Sequence, residues 1–230
     1  MLQNIKELYG NQLAASDGEI GKIKDFYFDD QRWAVRYLVA ETGPWLTDRL
    51  VLVSPHAFGK LDRDKKQLHV NLTRAQIEKS PPIETHRPVS RQYEQDYYTY
   101  YGWPTYWSGD LMWGATGFPL VNPAPPETPP HHGHNQRDDL HLRSTKAVKG
   151  YDIQATDGSI GSVSGFMVDD KSWAVGEVVA ETGHWYSGKE ILISPSKITR
   201  ISYEESKVFV NLTQADIRRT AENDIAKAGV

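Results

Sequence analysis

The chain has 230 residues, a formal net charge of −4, no cysteine and 39% hydrophobic residues. These values exclude disulfides, thiolate catalysis and cysteine-ligated metal, and they provide no basic footprint for nucleic acid. No apolar run is long enough to span a bilayer, and residues 1–20 lack the apolar core of a signal peptide, so the expected compartment is the cytoplasm.

In chain order, a short strand at Gln12–Ala15 and a longer one at Ile20–Phe28 read as a hairpin closed by Asp17-Gly18, since glycine accepts positive φ without steric cost. Ile20–Phe28 does not alternate cleanly: Ile20 and Phe26 share parity and Ile23 does not, so a β-bulge or barrel corner is expected there. Asp29-Asp30 begins a second tight turn. Strands follow at Trp33–Glu41, Leu50–Ser54 and Gln67–Asn71, rich in β-branched and aromatic residues. In the last strand Leu68, Val70 and Leu72 share one face, which is a period of two with one face buried. Thr73-x-x-Gln76 reads as a capping box that opens a short helix.

The same series is then written again. Residues 9–77 and 149–217 match at 27 of 69 positions, at a constant offset of 140 and without a gap. Asp17-Gly18-x-Ile20-Gly21 returns as Asp157-Gly158-x-Ile160-Gly161, and Asp29-Asp30-x-x-Trp33 returns as Asp169-Asp170-x-x-Trp173. Val208, Val210 and Leu212 repeat the inward face, and Thr213-x-x-Asp216 repeats the cap. An internal repeat outranks other fold signals. It sets three segments: a first domain at 1–80, an aromatic, proline- and histidine-rich linker at 81–146, and a second domain at 147–230. Five or six short strands and one helical turn per copy suit a small, closed or nearly closed barrel, because closure removes exposed edges.

These motifs resemble the PRC-barrel signature: the Asp-Gly-x-Ile-Gly turn, Phe26-x-x-Asp29-Asp30, the Trp33-Ala34-Val35 strand start and Ser54-Pro55. The second set is the Asp157 turn, Phe166-x-x-Asp169-Asp170, Trp173-Ala174-Val175 and Ser194-Pro195, so the resemblance covers both copies. It implies a mainly β fold of two small barrels, each followed by a short helix. It also implies a docking module rather than a catalyst.

The linker differs in composition. Tyr93, Tyr97 and Tyr101 recur at helical spacing, so Ser90–Tyr101 is expected to form an amphipathic helix that Gly102-Trp103-Pro104 breaks. With Trp103 and Trp107 these rings form either a strap buried against the barrels or a surface for a protein or aromatic ligand. A base-stacking platform is the third reading, but it normally comes with a basic groove, and Arg91 is the only lysine or arginine between Val89 and Arg137. Phe209 and Tyr203 stand where the first copy has His69 and Arg63. The strap, or a second barrel, is therefore expected to cover the second copy near Phe209.

Other polar clusters are weighed against ordinary structural roles. His131, His132 and His134 are the weak metal candidates, because clustered imidazoles suit zinc, copper or nickel. Glu41, Thr42 and Trp45, repeated as Glu181, Thr182 and Trp185, could hold a ligand at a strand end. The plainer reading is a Thr-Gly turn with a capping carboxylate and a tryptophan over the barrel mouth. Asp29-Asp30 reads as turn chemistry, since neighbouring strand residues face opposite ways. No nucleophile, base and stabiliser assemble, and no cofactor is expected. The expectation is a non-enzymatic scaffold or adaptor whose barrels self-associate, within one chain or between two, and dock an unknown protein. The alternatives are a small-molecule- or metal-binding regulatory protein and an RNA- or ribosome-associated factor.

Overall fold

A computed structural model describes residues 1–81, 89, 91–120, 141–183 and 188–219. The strands are β1 (Leu2–Asn4), β2 (Gln12–Ala15), β3 (Gly18–Asp29), β4 (Ala34–Thr42), β5 (Leu50–Val53), β6 (Phe58–Asp62), β7 (Gln67–Val70), β8 (Leu142–Ser144), β9 (Asp152–Ala155), β10 (Gly158–Asp169), β11 (Val175–Thr182), β12 (Glu190–Ile193), β13 (Ile198–Ser202) and β14 (Lys207–Val210). The helices α1 (Arg74–Glu78), α2 (Arg91–Tyr101) and α3 (Thr145–Val148) are short, and a further helix starts at Gln214. The chain is mainly β. No helix among the described residues is long and apolar enough to cross a membrane.

The chain divides into two compact units. One holds Glu7–Leu142 with Lys171–Trp173, and the other holds Met1–Lys6, Arg143–Asp170 and the chain from Ala174 on. The first repeat's sheet runs β5-β4-β3-β2-β7-β6, and the second repeat's runs β12-β11-β10-β9-β14-β13, so both copies have one strand order. Within each path all neighbours are antiparallel except β2 with β7 and β9 with β14, which are parallel. The paths end at β5 and β6, and at β12 and β13, so the barrel-like sheets are not closed through their ladders.

The broken alternation in β3 has a local cause. Ile23 faces Ala40 and Asp25 faces Val39, which leaves Lys24 as an extra residue; a second shift follows between Tyr27 and Phe28. A further shift separates Leu13 from Ala14 against β3. These irregularities turn Ile20, Ile23, Phe26 and Phe28 inward together, and all four are buried. The second copy shifts at Val163/Gly165 and Met167/Val168, where Ile160, Val163, Phe166 and Val168 are buried. Gly21 and Gly161 are required beside the sheet: a Cβ there would overlap the carbonyl oxygen of Glu41 or Glu181.

The ends follow the sequence closely. Trp33 NH donates to Asp29 O at 2.8 Å, and Asp29 Oδ1 accepts from the Gln31 and Arg32 amides, closing the acidic turn. Gln76 NH donates to Thr73 Oγ1 and Thr73 NH to Gln76 Oε1, the reciprocal cap of α1; Thr213 and Asp216 repeat it. Leu68, Val70 and Leu72 are buried, as are Val208 and Val210, whereas Leu212 is half-buried. In the second unit β1 lies along β10, with Leu2 opposite Asp169. Gly176 leaves room for Leu2, whose Cδ2 lies 2.8 Å from where a Cβ would stand.

Candidate functional site

Residues 91–120 of the linker are built into the unit of the first repeat. Helix α2 ends at Tyr101, where Gly102, at φ 67°, donates to Thr99 O and Trp103 NH donates to Tyr98 O. This pair of bonds is a glycine-dependent helix stop. The tyrosines of α2 then reach down onto the barrel. Tyr97 OH donates to Leu52 O at 3.0 Å and accepts from Ser54 NH at 3.1 Å. Tyr100 OH donates to Gln76 O and Tyr93 OH to Pro81 O, each at 2.9 Å.

A buried polar centre lies under α2. Glu94 Oε1 accepts from Tyr37 OH at 3.0 Å and from Tyr106 OH at 2.6 Å, and Glu94 Oε2 pairs with Arg91 at 3.3 Å. Arg36, 0% exposed, pairs with Asp29 Oδ2 at 3.1 Å. Its guanidinium lies 3.9 Å from the Tyr106 ring centre and 4.8 Å from that of Trp113. That aromatic sandwich offsets part of the desolvation of a buried cation. Arg32 fixes the strap's irregular end by donating to the carbonyls of Tyr106, Gly109 and Leu111. Trp113 Nε1 donates to Ser172 O at 2.8 Å.

His56 completes the centre. Its ring stacks on Trp103 at 5.5 Å and meets Tyr98 and Trp113 edge-on. A carbonyl can only accept, so the 2.7 Å contact with Leu120 O places the proton on Nδ1. Burial drives the imidazole down to about 4 against the opposing pull of the Leu120 carbonyl, and the Arg36 charge adds to the lowering. Burial also holds the hydroxyls of Tyr37, Tyr97 and Tyr106 well above the ordinary phenol range. They are neutral donors at physiological pH, so the centre binds the strap through hydrogen bonds and ring packing rather than through a reactive phenolate.

Of the proposed interaction surface, Tyr97, Tyr101 and Trp103 are buried in this arrangement and Tyr93 is half-buried. Trp107 is half-buried beneath the Arg91 guanidinium, 4.5 Å away. The described rings pack in the first repeat's unit, whereas the expectation placed the strap, or a second barrel, on the second copy near Phe209. The deciding residues are Arg36, Tyr37 and His56, replaced in the second copy by Gly176, Glu177 and Ser196. Phe209 is half-buried and carries Arg200 over its ring at 3.9 Å.

The strand-end cluster is structural in its hydrogen bonds. Thr42 and Thr182 are buried, and their hydroxyls donate to Arg49 O and Lys189 O at 2.8 Å. Trp45 Nε1 donates to Ile20 O at 2.7 Å, under the Arg74 guanidinium. Glu41 is an ion-pair partner of Lys24 at 2.7 Å rather than a cap of local amides. Glu181 is exposed; Trp185 lies outside the described residues, as do His131, His132 and His134. Among the described residues no group of three or more acidic or histidine side chains could hold a metal. The acidic turns instead meet a histidine ring and the Met1 ammonium. Asp30 meets His141 Nδ1 at 3.0 Å, and Asp169 and Asp170 meet the Met1 ammonium at 2.9 and 2.8 Å.

The strands of the order β5-β4-β3-β2-β7-β6, the glycine-dependent hairpin and the capped terminal helix all lie before Lys79. Residues 4–77 match the family model of the PRC-barrel domain. The first repeat is a PRC-barrel domain. The second shares its strand order and its identities at 27 of 69 aligned positions, and it is barrel-like in the same way. No curated protein matches the chain.

Proposed function

We propose that this chain is a non-enzymatic docking protein, with PRC-barrel modules that bind a partner protein. One observation carries the reading. In the first repeat's unit the polar groups best placed for chemistry, Glu94, Tyr37, Tyr106 and Arg91, bond to one another under the strap, and Arg36 bonds to Asp29. Such a network fixes a shape, which is what a docking module needs. The family match supports the same reading, since PRC-barrels are interaction modules. Self-association of the barrels belongs to this proposal.

Affinity capture of the tagged full chain, with cross-links mapped and native mass spectrometry of the eluate, tests it. The expected result is a stoichiometric protein partner cross-linked to a barrel surface. A co-purifying small molecule with no protein partner would overturn the reading in favour of ligand binding.

A further inference from the structure

The two repeats differ at one sheet edge. Thr42 NH bonds to Arg49 O, and the register of β4 with β5 makes Ala40/Val51 and Leu38/Val53 the next bonded pairs. Leu52 O and Ser54 NH therefore point away from the sheet. The Tyr97 hydroxyl takes both, standing where a neighbouring strand's peptide group would stand. In the second repeat Thr182 NH bonds to Lys189 O and the register of β11 with β12 is the same, so Leu192 O and Ser194 NH point outward. Among the described residues none takes them, and the Leu192 side chain is 51% exposed.

The outer face beside that edge has also changed charge. In the first repeat it carries Lys22, Lys24, Asp25 and Glu41, two cations against two carboxylates, with Tyr37 under the strap and Leu50 opposite Glu41. In the second repeat these positions are Ser162, Ser164, Gly165 and Glu181, with Glu177 and Glu190 in place of Tyr37 and Leu50. Glu181 is cross-strand to Glu190, and Val179 to Leu192, so the carboxylates flank the open edge on one face. These matched positions hold three carboxylates and no lysine or arginine. The seat that takes α2 in the first repeat is not repeated at these positions, and their charge is complementary to a cationic chain.

We propose that the open edge of β12 takes up a cationic extended segment of a partner protein as an added strand. Backbone bonds to Leu192 O and Ser194 NH give the affinity, and lysines or arginines alongside Glu181 and Glu190 give the selectivity. This rests on the docking reading and assigns the partner's chemistry and the repeat that binds it.

The test uses the full chain and a labelled, end-blocked peptide of alternating lysine and valine, roughly eight residues long to match a typical strand. Two isomers of it carry N-methyl groups on alternate amides, one set in each register. Fluorescence anisotropy should show saturable binding of the parent peptide and loss for one methylated isomer only. Affinity for the Glu181→Gln/Glu190→Gln protein should fall about tenfold, as expected for two partly screened ion pairs. Equal binding of both methylated isomers, of an aspartate-for-lysine peptide, or by the double variant would overturn the edge site. If a partner captured by the native chain is captured equally by the double variant, the edge site falls and the docking reading stands.

Discussion

At the scale of single residues, His56 is the group whose ionisation bears most directly on the strap. It is buried between Trp103, Trp113 and Tyr98 and driven down to about 4. An unfolded histidine titrates near 6.5, so between pH 6.5 and 4 the unfolded chain takes up a proton that the folded chain refuses. Stability present above pH 6.5 is therefore lost as the pH falls towards 4, by on the order of 3 kcal/mol from this residue. Urea unfolding followed by tryptophan fluorescence at pH 7 and pH 4.5 should show that loss, and His56→Asn should flatten it while lowering stability at pH 7. Parallel pH profiles for the two proteins would show that His56 does not control the acid sensitivity.

At the scale of elements, the strap's hold on β5 is a separate question from its ring packing. Tyr97→Phe keeps the ring and removes only the hydroxyl bonded to Leu52 O and Ser54 NH. Leaving buried polar groups unbonded costs about 1 to 3 kcal/mol. Hydrogen exchange should speed up at the Ser54 amide, whereas the Ser194 amide, which no described residue caps, should be unchanged. A Ser54 amide that keeps its protection would contradict the assignment. Elements set by local chemistry were legible in the sequence: Asp17-Gly18 as a hairpin, Thr73 with Gln76 as a cap, and Gly102 as the end of α2. Strands β6 and β13 were not, because Phe58–Asp62 contains Gly59 and Lys60 and presents an exposed edge with no apolar alternation. The parallel pairing of β2 with β7 was also invisible, since it joins segments far apart in the chain, Gln12 to Gln67, through backbone bonds that leave no mark on side-chain pattern.

At the scale of the whole molecule, the repeat was plain in the sequence, but which copy bears the strap was not. The comparison of Phe209 with His69 pointed to the second copy because it weighed apolarity on one strand. The seat is made by Arg36 and Tyr37, neighbours on β4, and by His56 on the turn after β5, which joins them only in the folded unit. If that is so, exchanging one position between the copies should act unequally. Tyr37→Glu would face a carboxylate towards Glu94 where both side chains are buried. An uncompensated buried charge costs roughly 3 to 5 kcal/mol. The reciprocal Glu177→Tyr lies at a half-exposed position and should change stability by no more than about 0.5 kcal/mol. Denaturant unfolding with tryptophan fluorescence from Trp103, Trp107 and Trp113 reads both. A large loss in the first variant with little change in the second is expected. Equal effects would mean that the strap does not depend on the residues that distinguish the first repeat from the second.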